Sequence, residues 1–273
     1  MNEKWVILNG DFYKEKEAVI PVTDRGFLFG EGIFTSIRVE NGTCEFLHSH
    51  FQRLQQQAQA LHFHWEPFRF SLIIELIKRN QADKNIWRLK IIVTITEKEG
   101  QRQTGHVLVT LTPAHDLSFS PCNLCLFPSP IESPLAQIKS LSYLDHLYVR
   151  DYAQRRGYVD AITRTANGFL LETGCSNFFW FDQGKYWIPH HQLPYLKGVF
   201  LQSILFHFTC PVEWVSVTID QVPSSANIYL CNALTHIRPV LSIENTNFSR
   251  NESVENNLRS AIAHAIKSQG TLQ

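Results

Sequence analysis

Gly168-Phe169-Leu170-Leu171-Glu172-Thr173-Gly174-Cys175-Ser176-Asn177-Phe178-Phe179-Trp180-Phe181 sets one carboxylate, Glu172, inside a run that is otherwise apolar or small. A carboxylate in such surroundings is costly unless a cation or a set of donors compensates it. The stretch reads as a strand over 169–173, reached from a strand over 160–165 through the turn Asn167-Gly168. Two more strands flank Gln183-Gly184, and a helix over 198–209 follows. Strands near 212–217 and 227–230 come next, and a last helix shows Val254, Leu258 and Ile262 four apart. Upstream, a helix over 144–156 is stopped by Gly157.

The first half has its own pattern. A strand over 5–8 ends at Asn9-Gly10, and a second turn stands at Asn41-Gly42. Ser49 is placed to cap a helix with Phe51, Leu54, Ala58 and Leu61 on its apolar face. A helix over 67–79 turns Phe68, Leu72 and Leu76 inward, and strands over 88–96 and 106–112 are joined by a polar segment, 97–105. The glycines at 26, 30 and 32 are neither in the order nor in the strand–loop–helix setting of a dinucleotide fingerprint. Residues 1–115 read as an α+β domain, 116–122 as a linker, and 123–273 as a second domain.

With 273 residues, 44% hydrophobic and 18% charged, the chain is long and apolar enough for sizeable cores. Its 25 basic and 25 acidic residues cancel, which leaves no nucleic-acid footprint. Residues 1–10 lack the apolar region of a signal peptide, and no run reaches membrane-spanning length. The expectation is a soluble, cytoplasmic protein with reduced cysteines. Cys122 and Cys125 lie in an alternating apolar segment and read as small buried thiols. The pairs His48/His50 and His62/His64 fall on or near helix, which speaks against a metal site.

Lys139, in Gln137-Ile138-Lys139-Ser140-Leu141-Ser142-Tyr143-Leu144, has apolar neighbours at 136, 138 and 141. That suits a strand end entering a partly buried cleft, where an amine can lose its proton and attack a carbonyl. Glu172 pairs either with an arginine such as Arg164 or with a bound cationic group. Arg53 is an exposed helix arginine or a fork for a phosphate.

Taken in order, Asp24-Arg25-Gly26, Phe29-Gly30-Glu31-Gly32, His50-Phe51-Gln52-Arg53-Leu54, the Lys139 segment, Glu172-Thr173-Gly174-Cys175-Ser176-Asn177-Phe178, Cys231-Asn232-Ala233-Leu234 and Pro239-Val240 resemble the fold-type IV pyridoxal-phosphate enzymes over nearly the whole chain. The resemblance implies a two-domain α+β fold, with a small N-terminal α/β sandwich and a larger C-terminal pseudo-barrel with flanking helices. It implies pyridoxal 5'-phosphate as cofactor, a small-molecule substrate and a homodimer. Lys139 becomes the Schiff-base lysine and proton shuttle, Glu172 the partner of the pyridine nitrogen, and Arg53 a phosphate ligand. The amides of Leu196 and Lys197 and the turn at Asn232 and Ala233 are expected around the phosphate. Tyr143 is expected near the ring hydroxyl and Asn177 among the cofactor contacts.

Aminotransferases of this family usually carry tyrosine–glutamate where Phe34-Thr35 stands, whereas its 4-amino-4-deoxychorismate lyases carry threonine. The resemblance thus points to the lyase branch, with a D-amino-acid or branched-chain aminotransferase, or a non-catalytic homologue, as alternatives. Thr35 is then a candidate contact or proton relay near the substrate. Around Thr94-Ile95-Thr96 the chain lacks the Arg-Gly and Gly-Arg-Gly runs that many members use near substrate carboxylates, which leaves Arg102 and Arg238 as possible substitutes.

Overall fold

Three two-residue turns set the register of the first sheet. Asn9-Gly10, Asn41-Gly42 and Glu99-Gly100 have positive φ at both positions, a geometry whose twist matches that of the strands it joins. The computed structural model describes residues 3–269, and these form two compact units. One runs up to Asp116 and adds Ile138–Tyr143; the other comprises Leu117–Gln137 and the chain from Leu144 onward.

The first unit contains β1 (Trp5–Leu8), β2 (Asp11–Lys14), α1 (Arg25–Phe29), β3 (Gly32–Glu40), β4 (Thr43–Cys44), α2 (Leu47–Ala60), α3 (Phe70–Arg79), β5 (Ile86–Lys98) and β6 (Gln101–Pro113). Its sheet has the order β2-β1-β6-β5-β3-β4, antiparallel throughout. Strand alternation sends Ile33, Ile37, Leu89, Ile91 and Val93 to one face, where they form a core with Phe51 and Leu54 of α2 and Ile73 and Leu76 of α3. The other face carries the half-exposed Ser36, Lys90 and Ile92.

Three details differ from the sequence reading. α2 starts at Leu47 behind Phe46, which has left-handed backbone and makes no side-chain cap. Ser49 therefore lies inside the first turn, because packing and not a local cap positions this helix. α3 buries Ile73, Leu76 and Ile77, with Phe68 and Leu72 at the margin of the core. The polar segment 97–105 continues the β5–β6 hairpin around Glu99-Gly100, and its polarity reflects exposure of that hairpin end.

Lys139 belongs to the first unit, although the sequence reading assigned all of 123–273 to a second domain. Phe34 donates its N–H to the Lys139 carbonyl at 2.9 Å, and Leu141 donates to the Gly32 carbonyl at 2.9 Å. A Cβ at Gly32 would collide with the Val93 carbonyl and the Leu141 side chain, so glycine lets this segment lie along β3. Such main-chain pairing leaves no hydrophobic period to read.

The second unit holds β7 (Cys122–Leu126), α4 (Leu144–Arg155), β8 (Asp160–Arg164), β9 (Leu170–Thr173), β10 (Asn177–Asp182), β11 (Lys185–Pro189), α5 (Val199–Leu205), β12 (Val212–Val215), β13 (Asn227–Asn232), β14 (His236–Ile243), β15 (Thr246–Asn247) and α6 (Glu252–Ser268). The strand order is β12-β11-β10-β13-β14-β7-β8-β9, with β15 on β14 and a further pairing of β9 with β10. That last pairing closes a six-stranded ring, through the register pair Asn177↔Glu172. Leu124, Ile162, Phe178, Ile228, Leu230 and Val240 share one core cluster. β14 is central despite Pro239, which lies opposite Tyr229 and reads against a strand in sequence.

The expected linker also packs into the second unit: Phe119 is buried and donates its N–H to the Ile237 carbonyl at 2.6 Å. Cys122 and Cys125 lie three apart on β7 and enter separate core clusters. Among the described residues no helix is long and apolar enough to cross a membrane.

Candidate active site

In the first unit α2 carries His50 and Arg53 three residues apart, hence on one helix face. Both reach Thr35 on β3. Arg53 Nη2 donates to Thr35 Oγ1 at 2.7 Å, and Thr35 Oγ1 lies 2.6 Å from His50 Nδ1. The guanidinium only donates, so Thr35 Oγ1 accepts from Arg53, and the direction of its hydrogen bond with His50 Nδ1 follows the imidazole tautomer. His50 Nε2 and Arg53 Nε are both buried with no partner among the described residues. Burial, reinforced by the charges of Arg53 and Lys139, holds His50 well below the ordinary imidazole value. Burial also draws Arg53 down to about 10, which leaves it a cation at neutral pH.

Lys139 stands beside this cluster between two rings. Its Nζ is 4.8 Å from the Phe34 centroid and 4.9 Å from that of Tyr143, and 3.4 Å from the Tyr143 hydroxyl. The two rings meet edge to face at 5.1 Å. Aromatic walls strip water from the amine and give it the partly desolvated setting a nucleophilic lysine needs.

In the second unit the ring closure at Glu172↔Asn177 builds a polar clamp. Glu172 Oε1 accepts the Leu196 N–H at 2.9 Å. Asn177 Nδ2 donates to the Leu196 carbonyl at 2.7 Å, and Asn177 Oδ1 accepts the Gly198 N–H at 2.9 Å. A Cβ at Gly198 would strike Asn177 Oδ1, so this junction needs glycine. Asp160 holds the next turn: its carboxylate accepts from Thr173 Oγ1 at 2.8 Å and from the amides of Gly174 and Cys175 at 3.1 and 3.0 Å. Asn232 Oδ1 takes the N–H groups of Leu234 and Thr235, both at 2.9 Å.

The sequence model of the family described as Amino-transferase class IV matches residues 32–243. The chain belongs to that family. It is 22% identical to the D-alanine aminotransferase of Staphylococcus aureus (strain MSSA476) over 252 residues, covering 88% of this chain and 89% of the relative. It is also 22% identical to the aminodeoxychorismate lyase of Vibrio harveyi over 237 residues, or 82% and 87% of the two chains. The branched-chain aminotransferase structure from Thermoproteus uzoniensis superposes with a TM-score of 0.85 at 18% identity, covering 98% of this chain and 96% of that one. The fold is therefore that of the fold-type IV enzymes.

Class IV membership makes the protein a pyridoxal-phosphate-dependent enzyme of the aminotransferase and lyase group, and its residues fit that cofactor. A buried guanidinium with no carboxylate partner among the described residues is unfavourable alone. Arg53 Nε–H, a buried donor without a partner among the described residues, suits a phosphate. A carboxylate held by a backbone amide and kept from water suits a protonated ring nitrogen.

The expected site residues are placed as follows. Thr35 is fully buried, and its hydroxyl bonds His50 and Arg53. Leu196 gives its amide to the Glu172 carboxylate, and Asn177 uses its side chain to hold the 196–198 loop. Among the described residues no acceptor meets the amides of Lys197 or Ala233. Arg164 Nη2 donates to the Pro128 carbonyl at 3.1 Å. Arg102 is held by Glu31 and the Leu61 carbonyl, and Arg238 by the carbonyls of Ser120 and Pro121, so both are occupied elsewhere. The sequence reading missed Asp160, although an acid opening the apolar strand Asp160-Ala161-Ile162 was its signal.

Replacing Thr35 by valine keeps the shape and removes the hydroxyl. The expected result is weaker cofactor binding by about 2 kcal/mol, read from absorbance titration of the apoprotein with pyridoxal phosphate. His50 gives a second expectation. Its folded value lies below the 6.5 of a free imidazole, so below that pH the unfolded chain gains a proton that the folded one refuses. Stability from this group is present above pH 6.5 and falls as pH drops, by at most about 1.4 kcal/mol per unit. Urea denaturation at pH 7.5 and 5.5 should show wild type losing about 1 kcal/mol more than His50→Gln.

Proposed function

We propose that the enzyme is a 4-amino-4-deoxychorismate lyase that releases 4-aminobenzoate and pyruvate in folate biosynthesis. The observation that carries this reading is Thr35. Where aminotransferases of the family usually carry glutamate, a neutral hydroxyl bonds Arg53 and His50 and leaves the guanidinium charge for the cofactor. Phe34 at the preceding position has no hydroxyl to offer a substrate. The Vibrio harveyi relative and the run Cys231-Asn232-Ala233-Leu234 support the same branch.

Bound pyridoxal phosphate supplies an aldehyde that engages the substrate amine and a ring that withdraws electrons from the carbon bearing it. Arg53 would hold the phosphate, and Glu172 would keep the ring nitrogen protonated. Lys139 Nζ would take the proton from the amine-bearing ring carbon of the substrate. The C–O bond to the enolpyruvyl group then breaks, the departing group takes a proton, and aromatisation of the ring makes the step downhill. Tyr143, close to Lys139 Nζ, orients that amine.

A D-amino-acid or branched-chain aminotransferase is the rival reading, and the Staphylococcus aureus relative favours it. The deciding experiment follows 4-aminobenzoate and pyruvate release from 4-amino-4-deoxychorismate. A wild type that makes neither product but converts D-alanine or leucine to its keto acid rejects the lyase. We also infer a homodimer, since Phe27, Leu28 and Phe29 of α1 leave apolar side chains exposed; light scattering at the monomer mass rejects the dimer.

A further inference from the structure

The loop over 190–198 joins β11 to α5, and among its described residues Tyr195 alone is buried. The Tyr195 hydroxyl donates to the carbonyl of Pro189, the last residue of β11, at 2.6 Å. Pro189 is buried too, so loss of that hydroxyl strands a buried acceptor. Burial, and then the charge of Glu172, raise the Tyr195 hydroxyl above its ordinary value, which keeps it a donor across the neutral range. Between these points the backbone turns tightly: Leu193 donates its N–H to the His190 carbonyl at 2.9 Å, and Tyr195 donates to the Leu193 carbonyl at 3.0 Å.

The next residue in the chain holds Glu172. Leu196 N–H meets Glu172 Oε1 at 2.9 Å, so the peptide between Tyr195 and Leu196 sets the direction of that bond. Asn177 restrains the far side, through the Leu196 carbonyl at 2.7 Å and the Gly198 N–H at 2.9 Å. A loop pinned on one side alone leaves an N–H free to swing; a packed side chain with its own hydrogen bond removes that freedom. We propose that Tyr195 is a positioning residue for the Glu172 carboxylate. Its bond to Pro189 fixes the Leu196 N–H, which fixes Oε1 and so aims the carboxylate at the ring nitrogen of the cofactor. This deepens the reading of Glu172 as the partner of that nitrogen and rests on it, whichever of the two reactions the enzyme runs.

The test is Tyr195→Phe, which removes the hydroxyl and keeps the ring, with Glu172→Gln in parallel. Amide hydrogen exchange of the full chain, followed by NMR, should show the Leu196 N–H exchanging about tenfold faster in Tyr195→Phe, with the β10 amides unchanged. In the holoenzyme, the pH midpoint of the cofactor's visible absorbance should move by about half a pH unit or more, in the direction in which Glu172→Gln moves it. Turnover should fall about tenfold at unchanged KM. Wild-type exchange at Leu196 overturns the proposal, and so does faster exchange with an unmoved midpoint, which marks a role confined to the loop. A midpoint that moves in Glu172→Gln but not in Tyr195→Phe overturns it and leaves the Glu172 reading intact. A midpoint unmoved in both removes that reading and this proposal with it. One arm uses wild type alone: a Leu196 N–H that exchanges at the rate of unprotected peptide also overturns the proposal.

Discussion

Lys139→Ala is expected to lower 4-aminobenzoate formation by on the order of 10⁴-fold or more, because in the proposed mechanism one side chain both anchors the cofactor and moves the proton. Loss of either job alone slows the reaction; loss of both leaves only binding. Stopped assays for 4-aminobenzoate and pyruvate measure the fall. Borohydride reduction of wild type followed by peptide mass analysis should fix the cofactor to Lys139, and label on another lysine would reject the assignment. The fold should survive, since the segment is held to β3 by main-chain bonds, Phe34 N–H to Lys139 carbonyl and Leu141 N–H to Gly32 carbonyl, that alanine keeps.

Glu172→Gln should cost about 10²- to 10³-fold in turnover. Glutamine is close to isosteric and can still accept the Leu196 N–H, so the 196–198 loop stays in place. What disappears is the negative charge that favours a protonated ring nitrogen, and with it the electron withdrawal that stabilises charge beside the amine. The expected pattern is a large fall in kcat with little change in KM. An equal loss in thermal stability and activity would mean that the carboxylate serves the loop, not the chemistry. Asn177→Ala separates the two, since it removes the side chain that holds Leu196 and Gly198 and leaves the Glu172 charge intact.

Local signals in the sequence were read correctly where they act over a few residues. Asn9-Gly10, Asn41-Gly42 and Gln183-Gly184 are hairpin turns because their left-handed backbone is a property of those residues. Gly157 ends α4 with φ of 81° for the same reason. Val254, Leu258 and Ile262 are buried on α6 because a helical period survives any packing partner. Glu172 could be picked out as a carboxylate among apolar neighbours, and so could Lys139 and Arg53 as parts of ordered motifs.

Tertiary structure decided the rest, and each case involves partners far apart in the chain. The ring closes because β9 meets β10 at Glu172 and Asn177, which turns two strand residues into a clamp on the 196–198 loop. α2 brings His50 and Arg53 onto the Thr35 hydroxyl, contacts invisible at separations of 15 and 18 residues. Lys139 joined the first unit through backbone hydrogen bonds, which carry no side-chain signature. Periodicity and turn chemistry are written residue by residue; a buried donor without a partner exists only after distant segments have met.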